Sequence, residues 1–85
     1  MNPITRKDYE KYTKEQWRGA KDKSRRPLGN SIAVMPADTT FTVVDKAGGF
    51  TIESEPCPKC GLSLYIRKVM PGDITLIEPS EKMKQ

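Results

Sequence analysis

The sequence contains no histidine, so it lacks the one side chain whose ordinary pKa suits general acid–base work near pH 7. Its two cysteines both lie in the stretch Cys57-Pro58-Lys59-Cys60, which excludes a disulfide framework joining distant segments. No apolar run approaches the roughly 18 residues needed to cross a bilayer. No apolar leader opens the chain, and the expected location is cytoplasmic. Neither the spacing of a phosphate-binding P-loop nor a serine in a nucleophile elbow is present. The carboxylates Asp38, Asp45, Glu53, Glu55 and Asp73 fall mostly at expected strand ends or turns, where they are ordinary. Together these absences argue against an enzyme and against a membrane protein.

What is present is short and charged. The chain has 85 residues, 35% hydrophobic and 31% charged. That is room for one domain with a modest core. Residues 1–26 hold nine Lys and Arg against four Asp and Glu, a net of +5, whereas residues 27–85 hold six against seven, a net of −1. The basic character therefore belongs to an N-terminal arm, an asymmetry that points to nucleic acid or an acidic surface.

The arm reads as a helix over 4–20. Thr5 with Asp8 forms a capping box, and Ile4 with Tyr9 a hydrophobic staple around it. Thr13 with Gln16 forms a second box, with Tyr12 and Trp17 as its staple, so the alternatives are a late start or a break near Thr13. Gly19 is a weak point or a C-terminal cap. Residues 21–30 are rich in turn formers and positive charge and read as a flexible linker.

From residue 31 the period changes to two. Segments 31–35, 40–45, 49–54, 62–69 and 74–78 carry the alternation of strands. Their inward residues are expected to be Ile32 and Val34, Phe41 and Val43, Phe50 and Ile52, then Leu62, Leu64 and Ile66. Lys46-Ala47-Gly48-Gly49 suits a hairpin loop, and Pro71-Gly72 the centre of a type II turn. The expected organisation is a basic helix and linker over 1–30, a small β-barrel over 31–78 and a flexible tail over 79–85. The fold class is mostly β (α+β), as a five-stranded barrel or bent meander with one N-terminal helix, because closure manages the open edges. The stretch from Phe41 to Ile52, two strands meeting at a tight hairpin, resembles SH3-like small barrels. That resemblance covers 31–78 at most and implies a binding scaffold without naming a ligand.

Two sets of residues could carry function. Arg6, Lys7, Lys11, Lys14, Arg18, Lys21, Arg25 and Arg26 are interleaved with Tyr9, Tyr12 and Trp17. Cations of this kind meet phosphates, and rings stack on unpaired bases. The competing reading has Trp17 and the tyrosines pinning the helix to the barrel while the lysines face water. Cys57 and Cys60, followed by Gly61, resemble a zinc knuckle. A structural zinc needs four ligands. With no other Cys and no His, the site would be completed by a second chain across a two-fold axis. Otherwise the pair is an inert turn or a redox dithiol. Tyr65, opposite Leu64 and Ile66 in the alternation, is expected at the surface between Ser63 and Arg67.

The leading expectation is a non-enzymatic accessory protein in the style of small phage or mobile-element regulators. It would engage nucleic acid, or a protein that processes nucleic acid, through the N-terminal helix. The alternatives are an inhibitor or adaptor of a host enzyme, docking through the same helix, and a zinc-bridged homodimer.

Overall fold

The computed structural model describes residues 3–56 and 58–84. The N-terminal segment forms two short helices, α1 (Arg6–Lys11) and α2 (Lys14–Trp17). Both expected capping boxes are made. Asp8 N donates to Thr5 Oγ1 at 3.0 Å, and Gln16 N donates to Thr13 Oγ1 at 3.2 Å. The second box is what breaks the helix. In a continuous helix the Thr13 N–H would bond the Tyr9 carbonyl, but here it donates to Gln16 Oε1 at 2.9 Å. The freed Tyr9 carbonyl accepts instead from Trp17 Nε1 at 3.2 Å and from Lys46 Nζ, which also reaches the Tyr12 carbonyl at 2.8 Å. Lys46 thus sits at the C-terminal end of α1, where a cation complements the orphan carbonyls, and its Nζ lies 4.3 Å from the centre of the Tyr9 ring.

Gly19, at φ +90°, turns the chain out of α2. The next residues depart from expectation. Lys21–Ser24 is a strand, β1, where a linker was expected. It pairs antiparallel with β4 (Thr40–Lys46) on one side and β7 (Ile74–Glu78) on the other. Its inward-facing residues are Asp22 and Ser24, both fully buried. The hydrophobic alternation that marks a strand is therefore absent from its sequence.

Residues 31–35 also differ. Only Val34–Met35 is strand, β3, paired with β2 (Leu28–Gly29) in a separate two-stranded ribbon. Asn30 Oδ1 accepts from the N–H of Ile32 at 2.8 Å and of Ala33 at 3.2 Å, so those amides are committed to a turn. Ile32 and Val34, expected inward, are 85% and 68% exposed.

β4, β5 (Phe50–Ser54) and β7 lie where expected, and β6 is confined to Tyr65–Val69, leaving Leu62 exposed and Leu64 half-buried. Pro71–Asp73 is a 3-10 turn, not a type II turn, since Gly72 does not take positive φ. The expected tail turns back on the fold: Ser80 is buried, its hydroxyl donates to the Gln16 carbonyl, and Glu81–Lys84 forms a second 3-10 turn.

The main sheet runs β6-β5-β4-β1-β7, all antiparallel. The mostly β class is thus as expected. The order is not that of a meander, because β1 is inserted between β4 and β7. No ladder among the described residues joins β6 to β7, so the sheet is open. One face carries the core of Phe41, Val43, Phe50, Ile52, Ile66 and Ile74, covered by Trp17. Edge-to-face ring pairs join Trp17 to Phe50 at 4.8 Å, Tyr9 to Phe50 at 4.9 Å and Tyr12 to Trp17 at 5.5 Å. The radius of gyration is 12.1 Å. That matches the ~12 Å of a fully packed chain of this length, so the basic arm does not swing free.

Candidate functional site: the outward face of the sheet

The structure separates the residues that sequence reasoning grouped in the arm. Trp17 is 1% exposed and belongs to the core, so it offers no surface to a partner. Arg25 Nη1 donates to the Gly72 carbonyl at 3.1 Å, and Arg26 makes two bonds of 2.9 Å to the Asp73 carboxylate. The pair that folding explained least in the sequence holds the 3-10 turn before β7. Arg6 pairs with Glu10 in α1, Lys14 with Asp45 at 3.5 Å and Lys21 with Glu55 at 3.8 Å. Arg18 Nε donates to the Val44 carbonyl at 3.1 Å. Lys7 and Lys11 are exposed on α1, with Lys11 Nζ 5.3 Å from the Tyr12 ring centre.

The chemistry that these positions lose is concentrated elsewhere. Strand alternation puts Phe41, Val43, Ile52 and Ile66 on the core face. Lys21, Lys23, Thr40, Thr42, Val44, Thr51, Glu53, Tyr65 and Arg67 are left on the other. All of these side chains are exposed or half-buried. The register places Lys21 opposite Thr42, Thr42 opposite Glu53 and Glu53 opposite Tyr65, making one row across four strands. Beside this row is an open concavity of about 560 Å³, whose lining includes Val44, Asp45, Thr51, Tyr65, Arg67 and Lys68.

Tyr65 is 53% exposed. The neighbouring Glu53 carboxylate raises the phenol pKa, so the ring stays neutral. Arg67 and Lys68 are exposed and have no ion-pair partner among the described residues. Lys68 takes φ +56°, next to a register shift in the β5–β6 ladder. Of the neighbouring carboxylates, Asp45 is held below its usual range by the Lys46 backbone N–H and then by Lys14 and Arg18, so its charge is already compensated. The sequence indicated Tyr65 through its alternation with Leu64 and Ile66. Arg67 and Lys68 became candidates only once the register brought them beside Thr51 and Val44.

The zinc-knuckle reading falls partly outside the described residues, because Cys57 is not among them. Cys60 is exposed and Gly61 takes φ +73°. Among the described residues no three His, Cys, Asp or Glu side chains are grouped as metal ligands. No helix among them is long and apolar enough to cross a membrane.

No protein-family model, curated protein or solved structure matches this chain.

Proposed function

We propose that this chain is a non-enzymatic binding module that lays unpaired nucleic acid across the outward face of its sheet. The observation that carries this reading is the exposed Tyr65 ring on the outward sheet face, beside Arg67 and Lys68, which have no ion-pair partner among the described residues. A base stacks on a half-exposed ring whatever its identity, and cations spaced along the same face follow the phosphates. Lys21 and Lys23 on β1 continue that face toward β7. The threonines between them supply hydroxyls without charge. The contact surface therefore moves from the N-terminal helix, whose aromatic rings are spent on the core, to the sheet.

The test is fluorescence anisotropy with labelled single-stranded oligonucleotides at 50 and 200 mM salt. Affinity should fall steeply with salt, with a slope reduced by ~0.7 when Arg67 becomes Ala. Tyr65→Ala should cost about 1–3 kcal/mol of binding, the worth of one stacked base. Binding that is insensitive to both salt and Tyr65 would remove the proposal.

A second reading, a protein adaptor, is favoured by a different feature. Ile32, Val34 and Leu62 are 85%, 68% and 73% exposed, apolar side chains that a protein partner could cover. The β2–β3 ribbon that carries the first two is tied to β6 by Asn30 Nδ2 donating to the Tyr65 carbonyl at 2.8 Å. If these residues meet a protein, Ile32→Asp with Val34→Asp should abolish its capture and leave oligonucleotide binding intact. Loss of both activities together would place the two contacts on one surface. A zinc shared by Cys57 and Cys60 of two chains is a proposal that would add a dimer to either reading.

A further inference from the structure

Asp22 is the one side chain whose buried polar atoms lack hydrogen-bond partners among the described residues: both carboxylate oxygens are unpaired. The residue is 0% exposed. It sits in the strand through which β7 joins the rest of the sheet, opposite Phe41 on β4 and Leu76 on β7. The β1–β7 register slips between Lys21 and Asp22, so the ladder is already irregular at this residue.

Among the described residues nothing around it compensates a charge. On its own strand Lys21 and Lys23 alternate to the outward face. On β4, Asp45 is paired with Lys14, and Lys46 is bonded to the Tyr9 and Tyr12 carbonyls. On β7, Glu78 is exposed and falls opposite Lys21. The charged residues of α1 and α2 (Arg6, Lys7, Asp8, Glu10, Lys11, Lys14, Glu15) and of the last turn (Glu81, Lys82, Lys84) are exposed. The buried hydroxyls on the inward face are committed: Ser24 Oγ donates to the Pro36 carbonyl, and Ser54 Oγ accepts from Leu64 N.

We infer that β1 is a proton-held strand: protonation of the Asp22 carboxyl favours its seat between β4 and β7, and ionisation of that carboxyl shifts it toward release. A neutral carboxyl costs a buried polar group, whereas an unpaired buried carboxylate costs far more. The strand is therefore held more firmly in one form than in the other. The inference does not depend on what the outward face binds.

The direction of the pH effect follows from linkage. Burial alone pushes the Asp22 pKa from 3.8 up to about 8. The unfolded or released chain loses its proton near 3.8 and the seated strand only near 8. The contribution to stability is therefore fully present below the lower value. It is lost as pH rises between the two, and is constant above the higher one. Within that window the folding equilibrium constant should fall about tenfold per pH unit, or about a thousandfold from pH 5 to pH 8. Because β1 also carries Lys21 and Lys23, its release would dismantle one side of the outward face.

The experiment is guanidinium unfolding of the full chain from pH 5 to pH 9, as wild type and as Asp22→Asn. Amide-exchange protection of β1 and β7 is compared with that of β4 and β5 over the same range. The expected result is a wild-type stability that falls relative to Asp22→Asn by about tenfold per unit up to pH 8 and then runs parallel. Protection should be lost first in β1 and β7. Parallel curves throughout, or protection lost uniformly, would overturn the inference. Should Asp22→Asn fail to fold, the carboxyl carbon resonance of Asp22 in the wild type decides the matter. A midpoint well above neutrality supports the inference, and one near 4 overturns it.

Discussion

Replacing Trp17 by Ala is expected to remove about 3–5 kcal/mol of stability, the cost of deleting a large buried aromatic side chain. A domain of this length holds only about 4–13 kcal/mol in total, so the variant should lose a large share of its stability and unfold at a much lower guanidinium concentration. Three contributions vanish together. The indole fills the space over Phe50, it meets Tyr12 edge to face, and its Nε1 donates to the Tyr9 carbonyl left open by the helix break. Trp17→Phe keeps most of the packing and loses the hydrogen bond, and should fall between the two. Circular dichroism and guanidinium denaturation measure both variants. An unchanged midpoint for Trp17→Ala would mean that the aromatic cluster does not hold the helices to the sheet. The same variant separates two views of the N-terminal segment, because a docking residue can be removed without unfolding the domain and a core residue cannot.

Gly49→Ala is the second large effect. Gly49 takes φ +125°, a conformation that side chains other than glycine's rarely adopt. A Cβ there would lie 3.0 Å from the backbone carbons of Lys68 and 3.1 Å from the Val69 carbonyl oxygen. Those atoms are main chain and cannot swing aside. The backbone strain alone is of the order of 1–3 kcal/mol. Displacing Gly49 also disturbs α1, because its N–H donates to Tyr9 Oη at 2.9 Å. Gly48, in the same loop at φ +65°, has nothing within 4 Å of a Cβ. Gly48→Asn should therefore be mild, since asparagine tolerates the left-handed conformation. Thermal melts distinguish the pair, with a shift of about 4–8 °C for each kcal/mol in a domain of this size. Equal melting temperatures for Gly49→Ala and Gly48→Asn would show that the close approach of β6 is not constrained by the missing side chain.

The nucleic-acid proposal and the Asp22 inference meet on β1, whose two faces serve different ends. Lys21 and Lys23 look outward, and Asp22 and Ser24 look into the core. Oligonucleotide binding measured at pH 6 and pH 9 is therefore informative only alongside amide exchange, which reports the strand itself.

Several features were determined by the sequence alone because their physics is local. Both capping boxes need only a hydroxyl and a partner three residues on, and both are present at Thr5 and Thr13. The hairpin from Thr40 to Ser54 follows from alternating Phe41, Val43, Phe50 and Ile52 around Gly48 and Gly49. β7 is bounded by its own apolar run and Pro79, and the exposure of Tyr65 follows from its place between Leu64 and Ile66. Tertiary structure decided the rest. β1 carries no apolar alternation, and its place in the sheet depends on partners about 20 and 50 residues away in the register of an antiparallel ladder. Arg25 and Arg26 resemble free linker cations until the turn at Gly72 and Asp73 is brought beside them. Trp17 reads equally as a contact or a core residue until Phe50 is beneath it. The row from Lys21 to Tyr65 and the unpartnered state of Asp22 are properties of strand order and burial. Those are set by which segments pack together, and no local run of residues encodes them.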